Sequence, residues 1–489
     1  MPNIDEVNLV LAAEDFNDSD FTRLHKFSKN DERVISKLMA HGPVLLQGSR
    51  GSGKSALMRE AAERLRSEDS ALGIYISLRH MPLLRSSGAE YHRILCELIA
   101  EKLGRALGAS YYFETYPDLM MLQTALTSLS ETLKKRIVLM FDDAAHLGRE
   151  ASLGEFFDVF RTLSSSSVSC KATIYPGVTN FGTRFDVFND ATVVDVIRDE
   201  DQEGFSKLFA DVLSARFPEI ANRRFSSELS LEDFAAFVGK SVLGNMRSFI
   251  YACNSVAEST DTSIGLPTIT KSFLELTTNF YWPLLDEVKP KLGKYTPVVD
   301  VSTSVAEAIF EECGREKSPF VIVHRDIIAR LSKAFEILEY VGFCSKREAS
   351  KALKSGGRGS RYALNLCLLL EKVPGSRLTG ELFEEWRTRP REPVQIHSKG
   401  TLLSDVHLPS LSEEETDLEI FGEQVDTLRK SGIYPYGLTD TMINKLKGAG
   451  IMTVGDLYSA SEEELDSLYY VGESRVKHLK NIVSQAIWL

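Results

Sequence analysis

The 489-residue chain lacks several things, and each absence removes a class of protein. No apolar run approaches the roughly 20 residues that a spanning helix needs. The first twenty residues, MPNIDEVNLVLAAEDFNDSD, are acidic and lack the basic-then-apolar order of an export signal. The six cysteines (Cys96, Cys170, Cys253, Cys313, Cys344 and Cys367) are scattered, with no Cys-x-x-Cys and no paired Cys/His spacing. That excludes a zinc site of the usual spacing and a disulfide framework, and it fits a reducing compartment. The expected address is cytoplasmic, away from membranes. Excess positive charge is also missing: the net charge is −12, so nucleic acid is a partner only if basic residues cluster locally. No long repeat and no biased tract occur.

What is present is ordinary globular composition, 43% hydrophobic and 26% charged, in a chain too long for one core. The periodicity predicts a helix over 30–39, then alternation from Gly42. The apolar run Val44 to Gln47 leads into a glycine loop and a helix over Ser55–Arg66. Further strands are expected at Ile74–Leu78, Ile137–Phe141, Ala172–Tyr175 and Thr192–Ile197, with helices over Tyr91–Leu107 and Glu155–Leu163 between them. Strands alternating with helices imply an α/β fold, a parallel sheet with helices on both faces. Beyond residue 200 the pattern is helical: 202–217, 231–237 and 245–256. Helices are predicted over 305–312, 326–341 and 346–354, followed by a glycine-rich turn at 356–360. Residues 387–418 carry proline, serine and charge without periodicity and read as a linker. A small helical unit closes the chain.

The glycine loop carries chemistry. Gly48, Ser49, Arg50, Gly51, Ser52, Gly53, Lys54 and Ser55 match Gly-x-x-x-x-Gly-Lys-Ser/Thr at every fixed position, between a buried strand and a helix. Glycines let backbone N–H groups turn in around phosphates, and the helix N-terminus adds its positive dipole end. Lys54 would reach the β- and γ-phosphates of ATP, and the Ser55 hydroxyl would ligate Mg²⁺. The strand Ile137–Phe141 runs into Asp142 and Asp143. Asp142 would hold the Mg²⁺, and Asp143 would polarise the attacking water.

Asp142, Asp143, His146 and Leu147 resemble the Walker B region of the origin-recognition-complex group of AAA+ ATPases. Tyr175 to Asn180 falls where that group ends its fourth strand in a polar sensor, with Asn180 the match. Gly244, Asn245, Met246 and Arg247 resemble its second sensor, in which an arginine on a helical lid reaches the γ-phosphate. Arg184 is a candidate arginine finger for a neighbour's nucleotide. The resemblance covers about residues 20–385. It implies a AAA+ P-loop ATPase core over 1–198, a helical lid over 199–298, a winged helix over 299–386, and assembly with copies of itself or another AAA+ protein. The chain departs from that group at Asp143, where a glutamate is usual; the shorter side chain implies slow hydrolysis, and Asp-Asp also occurs in signalling P-loop switches.

The resemblance places a recognition helix at Lys346, Arg347, Lys351 and Lys354, and a wing at Ser355 to Tyr362 with Arg358 and Arg361. Six Lys/Arg against one Glu between Lys346 and Arg361 is the concentration that phosphate contact requires. The alternative is a solvated basic face on a protein-binding wing. Residues 419–489, in particular Thr439–Trp488, resemble helix-hairpin-helix domains. There Gly472 and Ser474 would offer backbone N–H groups to a phosphate, with Arg475, Lys477 and Lys480 alongside. Tyr470 stands where that hairpin usually has glycine, and Glu473 lies inside the turn, so a protein-docking role stays open. Two readings result. In one, an ATP-hydrolysing protein binds duplex DNA through both C-terminal units; in the other, a signalling or scaffold ATPase uses them to dock proteins. A third, purely structural nucleotide would make Lys54 matter for stability alone.

Overall fold

The structure, a computed structural model, describes residues 13–79, 87–108, 118–145, 150–177, 181–182, 184–227, 229–354, 356–388, 391–410, 418–431, 434, 437–468 and 473–488. Five strands, β1 (Val44–Gln47), β2 (Ala71–Ser77), β3 (Arg136–Ala145), β4 (Val168–Ile174) and β5 (Thr192–Asp195), form a parallel sheet in the order β2-β3-β4-β1-β5. Alternate residues feed opposite faces. Val44, Leu46, Val138 and Met140 pack with residues of the helices Lys29–Met39 and Lys54–Arg66. Leu45, Ile137, Leu139 and Phe141 share the larger core with residues of Gly88–Leu107, Leu119–Leu133 and Glu150–Leu163. Burial on both faces is why these strands read as unbroken apolar runs rather than as alternation. The order sets β1 beside β4 and β4 beside β3, so three strands end together at one edge of the core. Ligands of open parallel sheets bind outside such carboxyl ends.

Four further helices, Phe205–Arg216, Leu231–Ser241, Met246–Ala257 and Leu266–Leu276, with the short parallel pair β6 (Arg224–Phe225) and β7 (Ser263–Ile264), make the helical lid. Next come the helix Val298–Glu316, β8 (Phe320–His324), the helices Arg325–Arg330 and Ser332–Val341, and a hairpin of β9 (Cys344–Ala352) and β10 (Arg358–Leu364). That order of elements is a winged helix.

It corrects the expected recognition helix: Lys346, Arg347 and Lys351 lie on β9, a strand, and Lys354 lies in the turn after it, so the stretch is no recognition helix. Its lysine, arginine, glutamate and alanine residues favour a helix, but propensity is a weak prior beside tertiary pairing. The preceding helix stops at Gly342, whose φ of 82° suits glycine, and Phe343 N–H closes the end on Leu338 O at 2.9 Å. The extended chain then pairs with β10, Lys346 opposite Tyr362 and Glu348 opposite Arg361. Of the turn expected at 356–360, Gly356 and Gly357 lie between the two strands, while 358–360 already belong to β10. Gly359 lets β8 come close: a Cβ there would lie 2.1 Å from Val323 O.

Part of the expected linker is folded as well. β11 (Val394–Ile396) adds in parallel to β8, giving a sheet in the order β11-β8-β10-β9. Arg330 then ties down 403–406 by donating to the carbonyls of Leu403 and Val406. The helix expected over 326–341 is two, broken at Leu331. The last unit has the helices Asp440–Gly448, Val454–Ser459, Glu462–Asp466 and Glu473–Trp488 around a separate core that includes Leu446, Leu457, Leu465 and Leu479. Among the described residues no helix is long and apolar enough to cross a membrane.

Candidate functional site

The loop after β1 turns at Gly51 (φ 81°) and Gly53 (φ 92°), left-handed conformations that favour glycine. A side chain at Gly51 would also collide with the lid: its Cβ would stand 2.6 Å from Arg247 Cβ and 2.7 Å from Asn245 Oδ1. The lid holds the loop through backbone as well. Arg247 N–H donates to Gly51 O at 3.2 Å, and Asn245 Nδ2 donates to Arg50 O at 2.6 Å. From the opposite side Arg198 donates to Ser52 O and, through Nη2, to Asp31 Oδ1 at 2.9 Å. Both members of that ion pair are buried.

Lys54 opens the helix behind the loop. It is 5% exposed, and its Nζ donates to Gly48 O at 2.8 Å and Ser49 O at 3.1 Å. The Tyr175 ring, at the end of β4, lies over the same Nζ with its centroid 3.7 Å away. Burial pulls the Lys54 ammonium below the usual lysine range, opposed by the carboxylates of Asp142 and Asp143.

Asp142 is 1% exposed, on β3 just past Phe141, where the pairing with β4 becomes irregular. It accepts from Tyr75 OH at 2.6 Å, Thr173 Oγ1 at 2.9 Å and the Asp143 N–H at 3.0 Å, and the Ser55 hydroxyl bonds to it too. Burial, and next the Asp143 carboxylate, push the Asp142 carboxyl above the usual range. Asp143 takes a left-handed φ of 55° and is pinned by its N–H to Thr173 Oγ1 at 2.8 Å. Strain of this kind in a non-glycine residue persists where the surroundings over-determine it, and it clusters at functional sites.

The structure therefore brings Ser49 to Ser55, Asp142, Asp143 and Arg247 together. Burial lowers the Arg247 guanidinium from its ordinary range, and Arg50 beside it adds to that; Arg247 Nε is enclosed without a hydrogen-bond partner. Paired oxygen ligands on Ser55 and Asp142, a loop of inward glycine backbone and a buried lysine fit a nucleotide triphosphate with Mg²⁺. Asn180, His146 and Leu147 lie outside the described residues. Arg184 is exposed, and its carbonyl accepts from Arg161. Sequence reasoning missed Asp31, Arg198, Tyr75, Thr173 and Tyr175. The first two are 167 positions apart, and their pairing is visible only in three dimensions. Tyr175 was read as a strand end, and only its place next to a P-loop could have marked it.

The basic candidates are placed differently. Arg347 is buried, 4% exposed at its side chain, and pairs with Glu200 at 3.1 Å and Asp199 at 3.7 Å across to the start of the lid. This corrects its reading as a surface DNA contact. Lys351 and Arg361 share Glu348, each at 3.1 Å, and Lys354 pairs with Glu392. Arg358 donates to Ser350 O at 2.9 Å, and the Lys346 N–H donates to Glu339 at 2.8 Å. In the last unit Arg475 is exposed and Ser474 lies on the final helix. Lys480 donates to the carbonyls of Tyr458 and Ala460, so it staples the unit's own core. Gly472 lies outside the described residues, as do the side chains of Ser474 and Lys477.

Fold and site together define a P-loop α/β protein with a helical lid, a winged helix and a small helical C-terminal unit. No protein-family model and no curated protein sequence matches the chain. Among solved structures it is similar to Cdc6p from Pyrobaculum aerophilum, at 13% identity and TM-score 0.35 over 76% of this chain and 99% of that one. It is similar too to the Aeropyrum pernix Orc1 protein in complex with DNA, at 14% identity and TM-score 0.32 over 78% and 95%. Domain III of the Thermotoga maritima replication initiation protein DnaA follows at 16% identity and TM-score 0.30 over 54% and 95%. At these TM-scores the likenesses carry no functional argument.

Proposed function

We propose that the chain is an ATP-binding and ATP-hydrolysing protein of the AAA+ type that binds duplex DNA through its C-terminal half. The observation that supports ATP most is the joining of Lys54 and Ser55, at the start of the helix behind the glycine loop, with Asp142 on β3, Ser55 and Asp142 forming one hydrogen-bonded pair. Ser55 and Asp142 would hold Mg²⁺, which neutralises phosphate charge when bound. Lys54 would donate to the β- and γ-phosphate oxygens, and the loop N–H groups would line the phosphates. Asp143, turned out of the strand by its left-handed backbone, would accept a hydrogen bond from the attacking water and orient it in line. Arg247 from the lid would take up charge developing on the γ-phosphate, Asn180 would act as the polar sensor, and Arg184 would reach a neighbouring copy's site.

The DNA part rests on the hairpin of β9 and β10 and on the last helix, where Lys351, Lys354, Arg358, Arg361 and Arg475 stand at or near the surface. A second reading, a switch ATPase that docks proteins, draws support from the carboxylates already matched to Lys351, Lys354 and Arg361. Phosphate release measured with and without duplex DNA at fixed salt separates them. The DNA reading expects stimulated turnover; a rate indifferent to DNA, with no DNA retained at low salt, would leave the docking reading in its place.

A further inference from the structure

In the winged-helix unit the helix Ser332–Val341 precedes the hairpin, and every one of its residues is buried or half-buried. Part of what covers it is the nucleotide site. The Arg50 N–H, in the glycine loop, donates to Tyr340 O at 3.1 Å. The Tyr340 and Tyr175 rings meet edge to face, 5.1 Å between centroids at 74°. Lys333 Nζ donates to Gly177 O at 3.0 Å, just past β4. Arg347, at the start of the hairpin, anchors the same unit on Glu200.

The other side of Tyr175 faces Lys54. An ammonium has three N–H donors. Two of those on Lys54 serve Gly48 O and Ser49 O, and the Tyr175 ring lies over the Nζ at 3.7 Å. A phosphate oxygen reaching Lys54 must take a donor from one of these three partners. The two carbonyls belong to the loop that holds the phosphates; the ring belongs to a side chain whose OH donates to Asp143 Oδ1 at 3.4 Å, a long hydrogen bond. Tyr175 is therefore the partner that yields, and its movement bears directly on Tyr340.

We propose that Tyr175 is a positioning residue for phosphate binding at Lys54, and that it works against Tyr340 as a latch: phosphate at the loop displaces the Tyr175 ring and loosens the helix Ser332–Val341 from the ATPase core. This deepens the nucleotide reading and rests on it. Docked, this helix has no exposed residue, so the latch would make its exposure depend on ATP.

The test uses the full chain. ATP affinity is measured in Mg²⁺ for wild type, Tyr340→Ala and Tyr340→Phe, and hydrogen exchange of residues 332–341 is followed in wild type with and without ATP. An edge-to-face aromatic pair is worth enough that its loss should tighten ATP binding by about three- to ten-fold in Tyr340→Ala. Tyr340→Phe keeps the ring and should stay near wild type. Damage to the fold would weaken binding, so tightening is not a result that a merely structural role gives. Exchange over 332–341 should quicken when ATP is added, because undocked helices open more readily. Unchanged or weaker ATP binding in Tyr340→Ala, or exchange that slows or stays level in wild type, overturns the latch while leaving the nucleotide site standing. Absence of saturable ATP binding to wild type overturns both.

Discussion

The loop after β1 and the hairpin of β9 and β10 are both glycine-containing and basic, and both read in sequence as places for phosphate. In the folded chain they part company. Around Lys54 the neighbours of the cation are carbonyls and a ring face, while the carboxylates of Asp142 and Asp143 stand close by. Around Lys351, Lys354 and Arg361 the neighbours are Glu348 and Glu392, surface carboxylates that already match the charge. A motif that fixes backbone geometry specifies a phosphate site in itself. A count of charges specifies one only when the fold leaves those charges unmatched.

The sharpest break between the two regions should come from Lys54→Ala. Removing a preorganised donor at developing charge costs about 10²–10³-fold in turnover, so phosphate release should fall at least that far. Next is the buried pair behind the loop. Arg198→Ala leaves Asp31 buried and unpaired, which costs about 3–5 kcal/mol, and denaturant unfolding should show it. Hairpin changes should do neither.

How far the sequence carried the reading follows from the same contrast. β1, β3 and the loop between strand and helix were legible because burial on both faces writes an unbroken apolar run, and because the left-handed backbone at Gly51 and Gly53 favours glycine. β9 was not legible: its helix-forming residues are overruled by Gly342 and by pairing to β10. Nor was the fate of Arg347 or Lys480, since a cation's partner is chosen by the fold and not by its neighbours in sequence. β11 hid in a stretch with proline and charge, and it reads as a strand only once β8 offers an open edge.

For the hairpin, changing Lys351, Lys354, Arg358 and Arg361 together to Ala should make the salt dependence of DNA binding shallower by up to about 3–4 units of slope. The complementary change tests the matched charges: Glu348→Gln with Glu392→Gln should free three cations and steepen the slope. A slope that responds to neither set would remove the hairpin from the DNA contact.

The smallest effect concerns pH. His25 stacks on Phe21 at 4.2 Å and meets the edge of Phe16 at 5.1 Å; burial, and then Arg216, lower its pKa from 6.5 to about 3. In the folded chain the ring stays neutral down to that value, whereas the unfolded chain takes up a proton below 6.5. Stability from this group is therefore full above 6.5 and is lost as pH falls toward about 3. Melting temperature should drop on going from about pH 7.5 to about pH 5, and His25→Gln should flatten the drop by the uptake of up to about one proton.

The central claim, that the loop Gly48 to Ser55 holds ATP with Mg²⁺, is tested most directly by calorimetric titration of the full chain with ATP in the presence and absence of Mg²⁺, for wild type and Lys54→Ala. One saturable site per chain is expected in wild type, tighter with Mg²⁺ and sharply weakened by Lys54→Ala. Equal binding in the two proteins, or none in wild type, would contradict it.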